Sequence, residues 1–146
     1  MKVDFGPITP EFYPWLRENL DPVLCDDTNG IVCYNVENND ILAASVMDNW
    51  TKRSCQIHVW IGNPIAIRHG FLYETFEYIY LITGRKTIFG LTPANNAKAI
   101  KFNKHVGFKE IFRLPEAYDE GVDYILFQMD KDECRWFRPA ALEKVA

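Results

Sequence analysis

Cys55-Gln56-Ile57-His58-Val59-Trp60-Ile61 alternates apolar and polar side chains and is rich in β-branched and aromatic residues, a pattern that predicts a strand. Gly62-Asn63-Pro64 breaks it. From Phe71 to Ile82 the residues Phe71, Leu72, Thr75, Phe76, Ile79, Tyr80 and Ile82 recur at three- and four-residue spacing, which lines them along one side of a helix closed by Gly84. Thr87 to Leu91 reads as a second strand. Pro93-Ala94-Asn95-Asn96 then offers Asn as the cap of a second helix, with Ala99, Ile100, Phe102 and Val106 facing inward and Gly107 as its stop. Phe108 to Phe112 starts a third strand. Strand, loop, helix, strand, capped helix, strand is the order of a mixed α/β fold.

Before this stretch, Ile31 to Val36 and Ile41 to Met47 are apolar runs joined by Glu37-Asn38-Asn39-Asp40, a tetrad suited to an antiparallel hairpin. Trp50-Thr51-Lys52-Arg53 makes the next connection. At the amino end, Thr9 followed by Pro10 and Glu11 predicts a hydroxyl-capped helix running to about Leu20, with Phe12, Trp15 and Leu16 on its buried side and Asp21-Pro22 as its stop. Asp26 to Gly30 is a polar loop. After Phe112, Pro115 predicts an irregular segment over Arg113 to Tyr118, Asp119-Glu120-Gly121 a turn, and Val122 to Met129 the last strand. Lys131 to Leu142 is a short tail holding Trp136 and Phe137, limited by Pro139.

The 146 residues make a single-domain length, taken as one domain over 1–146, and nearly half are apolar, so disorder is excluded on composition. A net charge of −4 argues against broad nucleic-acid binding, which needs a dense Lys/Arg face. No signal pattern opens the chain and no apolar run is long enough to span a bilayer, so a cytoplasmic protein without a membrane partner is expected. Cys25, Cys33, Cys55 and Cys134 are irregularly spaced and predict reduced structural thiols, neither a zinc site nor a disulfide framework.

Asn96-Ala97-Lys98-Ala99, followed by Lys104-His105-Val106-Gly107-Phe108, resembles the Asn-x-x-Ala and Lys-x-x-Gly-Phe signature of the GNAT (general-control-type N-acetyltransferase) superfamily, nearest its ribosomal-protein-acetylating branch. The likeness spans roughly Gly30 to Met129. The chain also resembles small acetyltransferase-like proteins of tailed bacteriophages, for which a host-cytoplasm location follows. The resemblance implies a central, mainly antiparallel sheet with one splayed parallel strand pair, flanked by helices, and acetyl-CoA as cosubstrate. Its pantetheine arm would lie between the Cys55–Ile61 and Thr87–Leu91 strands. The family's Arg/Gln-x-x-Gly-x-Gly phosphate loop aligns with Gly70 only at its last glycine; Ile65 stands at the Arg/Gln position and Arg68 at the first glycine. Arg68 and His69 are then either side-chain donors to the phosphates or solvated surface residues. Asn96 is a helix cap by sequence, and the resemblance adds a hydrogen bond to the pantetheine arm.

Acyl transfer to an amine needs a donor for the thioester oxygen, a base and a proton source. The resemblance places the donor on a backbone N–H near Val59 or Trp60. Asn103 occupies the position where many relatives carry the Tyr that protonates the thiolate; its amide donates a hydrogen bond but does not titrate. His58 is the candidate base, since imidazole as a class titrates near neutrality, against the alternative of a satisfied structural histidine. Asp48 and Glu74 are secondary candidates. The leading function is N-acyl transfer to a primary amine of a protein or small molecule. The rival is a catalytically inactive member kept as an interaction or virion-associated structural protein. The acceptor is not identified by the sequence, and an exposed sheet face or the Trp136 tail could mediate pairing into a homodimer.

Overall fold

A computed structural model of the chain describes residues 1–20 and 27–137. The helix stop at Asp21-Pro22, Cys25, the first residue of the polar loop at Asp26, and the end of the tail including Pro139 lie outside the described residues. Among the described residues one sheet holds β1 (Val3–Pro7), β2 (Asn29–Asn35), β3 (Ile41–Asp48), β4 (Ser54–Ile61), β5 (Thr87–Pro93), β6 (Lys109–Asp119) and β7 (Val122–Asp130) in the order β1-β2-β3-β4-β5-β7-β6. Every neighbouring pair is antiparallel except β4 and β5, which run parallel. The helices are α1 (Tyr13–Asn19), α2 (Ile65–Arg68), α3 (Phe71–Glu77) and α4 (Ala97–Val106).

Directly paired residues of neighbouring strands share a face of the sheet. Val46 faces His58 and Ala44 faces Trp60, whereas Met47 faces Ile57 and Ser45 faces Val59. The first set lies under α1, where Leu16 packs on Val32 and Val46. The second lies under α3 and α4, in a core that contains Phe71, Phe76, Ile79, Ile88, Phe127 and Met129. Each such side chain contributes roughly 1.5–3 kcal/mol by leaving water. A buried hydrogen bond of 3.0 Å between the Ser45 and Thr75 hydroxyls ties α3 to the sheet.

Several expectations need correction. β1 carries too short an apolar pattern to stand out in sequence, yet it pairs with β2 along its length. Thr9 does not cap a helix: its carbonyl closes a 3-10 turn over Pro10–Phe12, and its hydroxyl is buried without a partner. Pro14 has no N–H to give, so α-helical bonding starts only at Tyr13. The helix expected over Phe71–Ile82 is α-helical to Glu77 and then widens into a π-helical turn, with the Thr83 N–H reaching the Tyr78 carbonyl. Arg113 to Tyr118 is strand after all. β6 is the sheet edge, and its register with β7 breaks between Leu114 and Asp119, so the missing N–H of Pro115 loses no ladder bond. Trp136 packs inward, its indole N–H donating to the Val106 carbonyl at 2.8 Å and its ring meeting Tyr73 edge-on. Among the described residues no helix is long and apolar enough to cross a membrane.

Candidate active site

β4 and β5 are joined only through Ser54, Cys55 and Gln56 opposite Thr87, Ile88 and Phe89. Beyond that point they part, and residues 57–60 and 90–93 flank a cavity of about 570 Å³. Its lining comes from both faces of the sheet: Phe71, Leu72 and Thr75 of α3 and Phe102 and Asn103 of α4 on one side, Leu20, His58, Trp60 and Tyr124 on the other.

Strand alternation decides which backbone groups border the wedge. The Gly62 N–H donates to the Leu42 carbonyl, so in the same register Trp60, His58 and Gln56 exchange their hydrogen bonds with β3. Val59 and Ile57 therefore turn their N–H and C=O groups toward β5. Gly90 shows how near the strands still are at the apex, since a Cβ there would lie 3.3 Å from the Ile57 carbonyl oxygen. Of the two positions expected to offer the oxyanion donor, Val59 directs its amide to the wedge and Trp60 spends its amide on β3.

On the α1 face, His58 Nε2 lies 2.9 Å from Asp48 Oδ2. Asp48 is 9% exposed at its side chain and His58 24%, and the second carboxylate oxygen, Oδ1, is buried without a partner. A carboxylate only accepts, so the pair is satisfied when Nε2 carries the hydrogen, which leaves the Nδ1 lone pair free to take a proton. Nδ1 has no hydrogen-bond partner among the described residues. The sequence offered Asp48 as a separate weaker base; the fold makes it the residue that orients His58. On the opposite face Asn103 Nδ2 donates to the Thr92 hydroxyl at 2.9 Å, and both residues line the cavity. Asn96 caps α4, its side-chain oxygen accepting from the Ala99 N–H at 3.1 Å, and it too borders the cavity.

The phosphate-loop residues stand apart. Arg68, His69 and Gly70 are not among the cavity's lining residues, and Arg68 and His69 are exposed. The segment folds as α2, which spends the amides of Ala66, Ile67, His69 and Gly70 on carbonyls of the same loop and that of Ile65 on the Asn63 side chain. Gly70 adopts φ +92°, a left-handed turn that glycine takes without strain, and α3 opens directly after it. Glu74 is exposed on α3 and does not border the cavity; partial burial, with Glu77 and Asp4 near, raises its carboxyl above the ordinary range. Sequence reading missed Thr92, Leu91, Tyr118 and Tyr124, which reach the cavity from β5 and from the β6–β7 hairpin.

No protein-family model and no curated protein sequence matches the chain. Solved structures do. Mutant forms of the spermidine/spermine N-acetyltransferase SpeG from Vibrio cholerae superpose with a TM-score of 0.74 at 11% identity, over 90% of this chain and 96% of that one. The same enzyme in complex with manganese ions gives 0.73 at 10% identity over 99% and 98% of the two chains. A protein of Desulfovibrio desulfuricans assigned to the GNAT acetyltransferases gives 0.64 at 14% identity over 88% and 99%. The chain has the GNAT fold: a seven-stranded, mostly antiparallel sheet among the described residues, with one parallel pair and flanking helices.

Proposed function

We propose that this chain is an acetyl-CoA-dependent N-acyltransferase acting on a primary amine of a protein or small molecule. The observation that carries the reading is the wedge between β4 and β5, with bare Gly90 on one side and the unpaired backbone of Val59 on the other. A pantetheine arm fits such a gap, because it can pair with exposed backbone groups as an added strand would. Residues 1–146 are then one acetyltransferase-like domain, nearest the ribosomal-protein-acetylating branch by its Asn96 and Gly107-Phe108 motifs, and at work in a cytoplasm, the host's if the chain is phage-encoded.

When bound, acetyl-CoA supplies an acyl carbon open to attack by an amine and a thiol as leaving group. The Val59 N–H is the donor for the carbonyl oxygen as negative charge develops there. His58 Nδ1 takes the proton from the attacking amine, directly or through one water, while Asp48 holds Nε2–H and compensates the charge on the ring. Asn103 Nδ2 and the Thr92 hydroxyl lie on the pantetheine side and offer hydrogen bonds to sulfur; neither titrates. Asn96, whose oxygen is used as a cap, keeps its amide N–H groups for the pantetheine arm. For the phosphates the amides of residues 65–67, 69 and 70 are spent within the loop, so exposed Arg68 and His69, outside the cavity lining, are the side-chain donors the reading assigns.

That same loop favours a second reading, a fold retained as a non-catalytic interaction or virion-associated protein. Pairing of two copies, where it occurs, would use the β6 edge with exposed Ile111 and Phe112, since Trp136 is engaged within the chain. Calorimetry with acetyl-CoA separates the readings. We expect saturable binding; no heat at millimolar ligand would reject both the transferase and any CoA-sensing role.

A further inference from the structure

We propose that the acceptor is a primary amine carried on a flat apolar body, with an aromatic ring within a few bonds of the nitrogen and a single positive charge, and not a polycationic amine. The inference rests on the transferase reading and says what its α1-face chamber takes. That chamber is walled by His58, Trp60, Leu91, Tyr118 and Tyr124. Trp60 is held in place: a Cβ on Gly62 would fall 2.0 Å from the indole ring, and the Trp15 ring meets Trp60 edge-on at 4.8 Å and 90°. Tyr118 and Tyr124 form a second edge-to-face pair at 5.2 Å. Trp60, backed by Trp15, and the Tyr118–Tyr124 pair give a ligand ring faces and edges to stack on.

Charge points the same way. Among the described residues no carboxylate lines the chamber, and Asp48, beneath His58, has Oδ2 on His58 Nε2 and its other oxygen buried. A polyamine brings ammonium groups that do not react and must each be held by an anion or by water. The described wall residues offer them no anion. For the one reacting nitrogen an apolar wall is an advantage, because desolvation favours the neutral amine, which is the nucleophile. In the step itself that nitrogen bonds to the acyl carbon, the proton leaves the nitrogen for His58 Nδ1, and the carbon–sulfur bond breaks with its electron pair departing on sulfur as a thiolate, which takes its proton from solvent.

The test is release of free thiol from acetyl-CoA with phenethylamine, a tripeptide amide beginning with Phe, butylamine and spermidine, alongside calorimetric titration of the acetyl-CoA-loaded protein with phenethylamine. The expected result is a kcat/KM for phenethylamine or the tripeptide at least about tenfold above that for spermidine, the range two aromatic contacts can supply. Tyr124→Leu and Gly62→Ala, which removes no ring but displaces that of Trp60, should each lower the preference for phenethylamine over butylamine by about threefold to tenfold. Preference for the tripeptide assigns the ring to a peptide's first residue, and preference for phenethylamine to a free amine; both support the inference. Spermidine used as well or better overturns it and leaves the transferase reading standing. If acetyl-CoA binds and no amine releases thiol, the transferase reading fails. The titration then decides the chamber: bound phenethylamine upholds its assignment, and no heat overturns it.

Discussion

The two faces of the wedge share β4 and β5 but are assembled differently. The side under α3 and α4 is built from consecutive elements between β4 and α4, each with its own capping or stop residue. The α1 side is assembled from α1, the β3–β4 pair and the distant β6–β7 hairpin, which meet only in the fold. One strand serves both, with odd-numbered Ile57 and Val59 on the first face and even-numbered His58 and Trp60 on the second. The α3/α4 side is thus a local property of sequence, and the α1 side a property of register.

The largest effect should come from the acceptor side. His58→Gln keeps a hydrogen-bonding side chain and removes the proton acceptor, so kcat should fall about 10²- to 10⁴-fold. Acetyl-CoA affinity, read by calorimetry, should stay near wild type, since His58 and the pantetheine side lie on opposite faces. An equal loss in binding would break the division between faces. Next is Gly90→Val on the strand itself. With a Cβ already 3.3 Å from the Ile57 carbonyl, the added methyl groups fill the gap, and acetyl-CoA should bind about thirtyfold more weakly, near 2 kcal/mol. A folded Gly90→Val protein that binds acetyl-CoA normally would empty the wedge of its role.

That division also explains what the sequence could and could not tell. The strand–helix–strand core was legible because alternation, the Asn96 cap and the Gly84 and Gly107 stops are short-range signals. The pairing of His58 with Asp48 was not. β3 and β4 pair with residue numbers summing to 104, as in Val46 opposite His58, which places Asp48 and His58 on one face. A slip of one residue would send them to opposite faces, and the connection Trp50 to Arg53 does not specify the register to that precision. Tyr118 and Tyr124 were illegible for a related reason. Pro115 argued for irregular chain, whereas on an edge strand with a break in pairing it is tolerated, and the hairpin therefore extends as far as the cavity.

Asp48→Asn probes the same register. The amide can still accept from Nε2–H or, reversed, donate to the lone pair of an unprotonated Nε2, so the histidine loses its fixed tautomer, and kcat should fall about tenfold to a hundredfold with a smaller change in KM. A purely structural Asp48 would instead lower melting temperature and leave the pH–rate profile with its original shape. On the other face Arg68→Ala should weaken acetyl-CoA about threefold to tenfold and leave a phosphate-free pantetheine analogue unaffected. Equal losses for the two ligands would show that Arg68 does not read phosphate.

The smallest effect separates the zipped half of β4 from its open half. Cys55 lies in the paired part, fully buried, and burial pushes its thiol up to about 12, outweighing Arg85, which lowers it. Cys33 and Cys134 are likewise raised by burial, each to about 11. An unfolded thiol ionises near 8.5, so below that pH both states keep the proton and these groups contribute evenly. Between there and about 11 to 12 the unfolded chain releases protons that the folded chain retains, and stability falls as pH rises. Melting temperature should therefore be level with respect to these thiols through neutrality and decline above about pH 9. Cys55→Ala should show a shallower decline, because one of the three groups no longer titrates only on unfolding. If the slope is unchanged in Cys55→Ala, or if alkylating reagents label Cys55 in the native protein, then β4 and β5 open along their whole length, and the apex that positions Val59 against the wedge is not fixed.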